Sequence, residues 1–71
     1  MNKQILLDHL ALAERHVSEG ETHVARQREL VAKLERGDHE TGLARALLQK
    51  FEELLAIHKV DRDRLRGEVQ N

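Results

Sequence analysis

The chain reads as an all-α protein, an antiparallel two-helix hairpin that pairs with a second copy into a four-helix bundle. Three observations predict this. Pro is absent from the 71 residues, charged residues make up 35%, and the strong helix formers Ala, Leu, Glu, Arg and Gln dominate the composition. Apolar residues recur at heptad spacing along two long runs. One stretch between the runs, Gly37-Asp38-His39-Glu40-Thr41-Gly42, carries helix-ending and helix-starting chemistry.

The first helix is expected over about 3–36. With Lys3 at heptad position a, the a series is Lys3, Leu10, Val17, Val24 and Val31, and the d series is Leu6, Ala13, Gly20, Gln27 and Leu34. Sustained a/d spacing of this kind makes a coiled-coil-like seam. Gly20 and Gln27 interrupt it. Gly inside a helix costs about 1 kcal/mol relative to Ala. The interruption reads either as a thin waist where helices approach closely, or as a hinge or a polar register-fixing contact. Gly37 suits the left-handed residue that ends a helix, and Thr41 is favoured over Asp38 as the next N-cap. A loop over 37–41 is short enough to make the helices antiparallel neighbours.

The second helix is expected over about 42–69. Its a positions are Ala44, Phe51, His58 and Leu65, and its d positions Leu47, Leu54, Asp61 and Glu68. Leu48 and Leu55 at e, with Leu43 and Ile57 at g, widen the apolar face of the first half. The expected core is Leu6, Leu10, Val17, Val24, Val31, Leu34, Leu47, Phe51, Leu54 and Leu65. A single partner helix would leave Leu43, Leu48, Leu55 and Ile57 partly wet. Exposed apolar surface on that scale marks an interaction site. The interface expected on this helix is therefore Leu43, Leu47, Leu48, Phe51, Leu54, Leu55, Ile57 and His58.

Bulk properties agree. Residues 1–71 make one small domain, and a chain this short buries only about 60% of its unfolded surface. It has no Cys, so neither a disulfide nor a Cys-based zinc site can staple it. Very regular helix packing and self-association are the remaining routes to a stable core. The balance of 12 basic and 13 acidic residues, net −1, demands neither a polyanion nor an anionic membrane as partner. Charges interrupt every apolar run well before a membrane span. The expectation is a cytoplasmic protein.

Candidates for chemistry are few. His9, His16 and His23 form one stripe beside the first seam. Their spacing is about 10.5 Å of helical rise, so neighbours in the stripe cannot share one metal ion, and a metal site would need His58 or a second chain. Asp61-Arg62-Asp63 starts like a calcium loop, but Leu65 takes a ligand position and the chain ends before the bidentate Glu. No His has Glu three residues before it, as a di-iron bundle requires. Ser18 is the lone Ser, and the glycines are isolated rather than clustered into a phosphate loop. The expectation is therefore no enzyme, no cofactor and no metal; zinc or nickel bound by His across chains is the weakest of the alternatives.

The leading function is a small non-catalytic interaction or oligomerisation module, regulatory or adaptor in kind, working as a homodimer or with another protein. The alternative is RNA or DNA binding by the basic faces of a dimeric bundle, as in Rop-type plasmid RNA regulators. Lys59, Arg62 and Arg66 on one helix, with Arg26, Lys33 and Arg36 on the other, would meet phosphates. Acids are interleaved with these almost one for one, and the sole aromatic, Phe51, belongs to the core pattern, so nucleic acid is the weaker reading.

At Glu14-Arg15-His16-Val17, Ala25-Arg26-Gln27-Arg28-Glu29-Leu30-Val31, the Gly/His/Thr loop and Asp61-Arg62-Asp63-Arg64-Leu65, the chain resembles a group of short uncharacterised bacterial proteins with RQREL-type and DRDRL-type runs. The resemblance covers nearly the whole chain. It implies a helical hairpin and no known activity, substrate or cofactor.

Overall fold

The computed structural model describes residues 2–71, and the chain forms two antiparallel helices, α1 (Lys3–Arg36) and α2 (Gly42–Gln70). They lie side by side in a rod of 53 × 14 × 13 Å. The Asn2 side chain caps α1, its Oδ1 accepting from Gln4 N at 2.7 Å.

The α1 seam follows the heptad reading. Ala13, Val17, Val24, Gln27 and Val31 are buried, and Leu6, Leu10, Gly20 and Leu34 are half-buried beside them. Lys3, at the start of the series, is exposed.

The α2 seam is turned from the expected one. Ala44, Leu48, Phe51, Leu55, His58, Arg62 and Val69 are half-buried against α1, and Leu65 is buried. Leu47 and Leu54, expected in the core, are 45% and 51% exposed. Leu48 and Leu55, expected to be left outside the hairpin, take their place. The doublets Leu47-Leu48 and Leu54-Leu55 offer an apolar residue to either rotation, so periodicity alone does not choose. The choice is made by fit across the seam. Leu55 seats on Gly20, where a Cβ on the glycine would stand 3.1 Å from Leu55 Cδ1. One turn or two nearer the loop, Gln27 Nε2 donates to the Ala44 carbonyl at 2.9 Å. The waist and the polar register contact are thus both present, on neighbouring layers.

The loop corrects a second expectation. The left-handed residue is Asp38, with φ 60°, whereas Gly37 has φ −86°. Asp38 N donates to Glu35 O at 3.1 Å and His39 N to Leu34 O at 2.9 Å, the pair of bonds that defines a Schellman end with Asp38 as its left-handed residue. Asp tolerates that conformation better than most side chains. The His39 ring lies over Gly37, where a Cβ would stand 2.7 Å from His39 Cδ2 and the exposed ring would have to turn aside. Thr41 does precede α2, but its side chain makes no capping bond; the Glu40 carboxylate accepts from Gly42 N at 2.6 Å instead.

The resulting core is one layer thick. Its buried apolar residues are Ala13, Val17, Val24, Val31 and Leu65, four of them medium or small side chains. Each fully buried Val or Leu contributes about 1.5–3 kcal/mol, against about 1–2 kcal/mol of backbone entropy for every residue ordered. This core alone stabilises a hairpin weakly, and the surfaces beside it gain importance.

Candidate interaction face

The two helices leave two long flanks, and the flanks differ in chemistry. On one flank α1 presents Glu14, Glu21, Arg28 and Glu35, each seven residues after the last, and α2 presents Arg45, Glu52, Lys59 and Arg66 at the same interval. Running antiparallel, they meet in opposite charges. Arg66 bonds Glu14 at 3.3 Å, Arg28 bonds Glu52 at 3.4 Å, and Arg45 bonds Glu35. Glu21 and Lys59 line one shallow groove between them. Among the exposed large hydrophobic residues, only Leu7 stands in this series.

On the other flank α1 presents Ile5, His9, Leu12, His16, His23 and Leu30, and α2 presents Leu47, Phe51, Leu54 and His58, with Leu43 and Ile57 along its outer edge. Of the nine large hydrophobic residues that are exposed among the described residues, seven lie here: Ile5, Leu12, Leu30, Leu43, Leu47, Leu54 and Ile57. Val60 projects from the back of α2, away from the seam. The imidazoles of the stripe pack across to α2. His16 lies against His58 with ring centroids 5.0 Å apart and planes at 48°, and His23 lies against Phe51 at 5.6 Å. Between these pairs runs a groove of about 300 Å³ lined by His16, Glu19, Gly20, His23, Phe51, Leu54 and His58. Gly20 deepens it by having no side chain.

Beyond His58 the flank turns polar. His9, Leu12, His16, Asp61, Arg64 and Leu65 line the next depression. Asp61 is engaged by Arg64 at 2.7 Å, and Arg64 also reaches Glu68 at 2.8 Å. Hydrogen bonds to Asp61, then to Glu68, raise the Arg64 pKa above its ordinary value.

Of the interface residues read from the sequence, Leu43, Leu47, Phe51, Leu54, Ile57 and His58 share this flank or its edge, while Leu48 and Leu55 are spent inside the hairpin. The α1 contribution, Ile5, Leu12 and Leu30, was missed. A signal for it existed, since His9, His16 and His23 continue at the same interval into Leu30, and Leu12 lies one turn from both His9 and His16. The cations that favoured nucleic acid are partly spoken for, Arg62 by Asp63 at 2.9 Å and Arg66 by Glu14. Among the described residues no helix is long and apolar enough to cross a membrane. No protein-family model matches the chain, and neither a curated protein nor a solved structure is detectably similar to it.

Proposed function

We propose that this chain is a non-catalytic self-association module, and that two copies dock through the His/Leu flank to form a four-helix bundle. The observation that carries the reading is surface in excess. A compact monomer of 8.2 kDa exposes roughly 4,500 Å² by the size scaling of folded monomers, whereas the hairpin exposes 5373 Å². The excess is close to the roughly 800 Å² that each partner buries in a standard interface. It coincides with a flank holding seven of the nine exposed large hydrophobic residues. A second copy is the occupant that supplies a matching apolar flank of the same length. A two-fold pairing uses the same patch twice. The bundle so formed serves as a small regulatory or adaptor piece whose outward faces are polar.

Light scattering across a dilution series tests this. A helical species near twice 8.2 kDa is expected. A helical monomer at every concentration overturns the dimer and leaves the flank for a different protein to cover.

A further inference from the structure

Resting on that self-association reading, we infer that His16 and His58 are half of a zinc-type metal site that a second copy completes. Two imidazoles bound to one tetrahedral zinc, each with a Zn–N bond of about 2.0–2.1 Å, hold their ring centroids about 5 Å apart. The His16 and His58 rings stand at 5.0 Å, tilted by 48°, so both can turn a nitrogen to one ion with little movement of the helices. Both line the open groove rather than the closed seam, beside the gap left by Gly20.

The groove that holds the pair lies on the flank where a second copy docks. A two-fold axis running parallel to the helices sets every residue level with its own copy. Such a dimer sets one His16–His58 pair against the other in a single layer and offers four imidazoles to one ion, the full complement for a closed zinc site. One hairpin cannot do this alone, because no group of three or more His, Asp or Glu converges on a metal position among the described residues. The carboxylates nearby are Glu19, at the groove, and Asp61, three residues after His58 and already bonded by Arg64 at 2.7 Å. His9 and His23 flank the pair along α1, outside the spacing for a common ion.

Zinc ion alone is the probe, with the full chain. Calorimetry should give one zinc for every two chains, and zinc in place of chelator should tighten self-association by about tenfold or more, as binding to the dimer alone requires. His16→Gln and His58→Gln should each abolish both effects while circular dichroism shows the helices intact; His39→Gln, in the loop, should change neither. Cobalt(II) with the unaltered chain provides a readout independent of any variant, since a tetrahedral four-imidazole site gives intense visible absorption and an octahedral one is pale. A dimer that persists in chelator and binds no zinc overturns the metal site and leaves the dimer standing. Zinc uptake unchanged in both Gln variants also overturns the site. A chain that is monomeric with and without zinc removes both readings.

Discussion

The two flanks of the hairpin are equally long and are built from the same helices, yet they do opposite work. On the ion-paired flank acid meets base across the helices at Glu14–Arg66, Arg28–Glu52 and Glu35–Arg45. The His/Leu flank leaves its large apolar side chains exposed. All the partners in the ladder are roughly half exposed, and such pairs contribute about 0.2–1 kcal/mol at most. The ladder therefore adds little energy, and what holds the hairpin together lies in the seam between the flanks, at Ala13, Val17, Val24, Val31 and Leu65. The flanks are divided in chemistry, one charged and one apolar.

The division can be broken most severely at Leu54. Leu54→Glu places a carboxylate in the middle of the apolar flank and should weaken self-association about 100-fold, roughly 3 kcal/mol, as truncation at an interface centre does. Glu52→Gln, two residues away on the other flank, should leave the solution mass unchanged. Equal loss in both variants would mean that the flanks are not distinct. Between the flanks, Gly20→Ile forces three further carbons toward Leu55 and should cost about 2 kcal/mol in urea unfolding; an unaltered midpoint would show that the helices are not in close approach there. The smallest effect belongs to the ladder. Arg28→Glu should cost about 0.5 kcal/mol, and the double change Arg28→Glu with Glu52→Arg should recover it. A double-mutant cycle with no coupling would show that the pair is not formed in solution.

How much of this was legible depends on whether a position had a rival. The α1 seam had none, because Leu10, Val17, Val24 and Val31 have no apolar neighbour at the adjoining e positions, where Glu14, Glu21, Arg28 and Glu35 stand. On α2 the leucine doublets made two rotations equally greasy, and the one selected depends on the gap at Gly20 and on the charges of α1, which are properties of the partner helix. The sequence did contain a deciding clue. Rotating α2 so that Leu48 and Leu55 face inward is what brings Arg45, Glu52, Lys59 and Arg66 opposite their counterions. At the loop the left-handed turn falls one residue beyond the glycine, and Asp38, which tolerates the left-handed region better than most side chains, takes that position. The exposed apolar residues on α2 were legible as a greasy face; those on α1 were hidden behind the histidines.

The order of signs in the ladder also acts as a check code against misalignment. Along α1 it runs minus, minus, plus, minus, and along α2, read backwards from Arg66 to Arg45 as α1 meets it, plus, plus, minus, plus. Slide α2 by one heptad and Glu21 faces Glu52 while Arg28 faces Arg45. Slide it the other way and Arg28 faces Lys59 while Glu35 faces Glu52. Run the helices parallel, from Glu14 beside Arg45, and Glu21 again meets Glu52 and Arg28 meets Lys59. Each wrong alignment keeps some matches and incurs two like-charge meetings, so an early, loosely zipped hairpin that has slipped receives an electrostatic signal to reopen before its leucines lock. A uniform ladder, all acid on one helix and all base on the other, would hold the chain as firmly and transmit no such message.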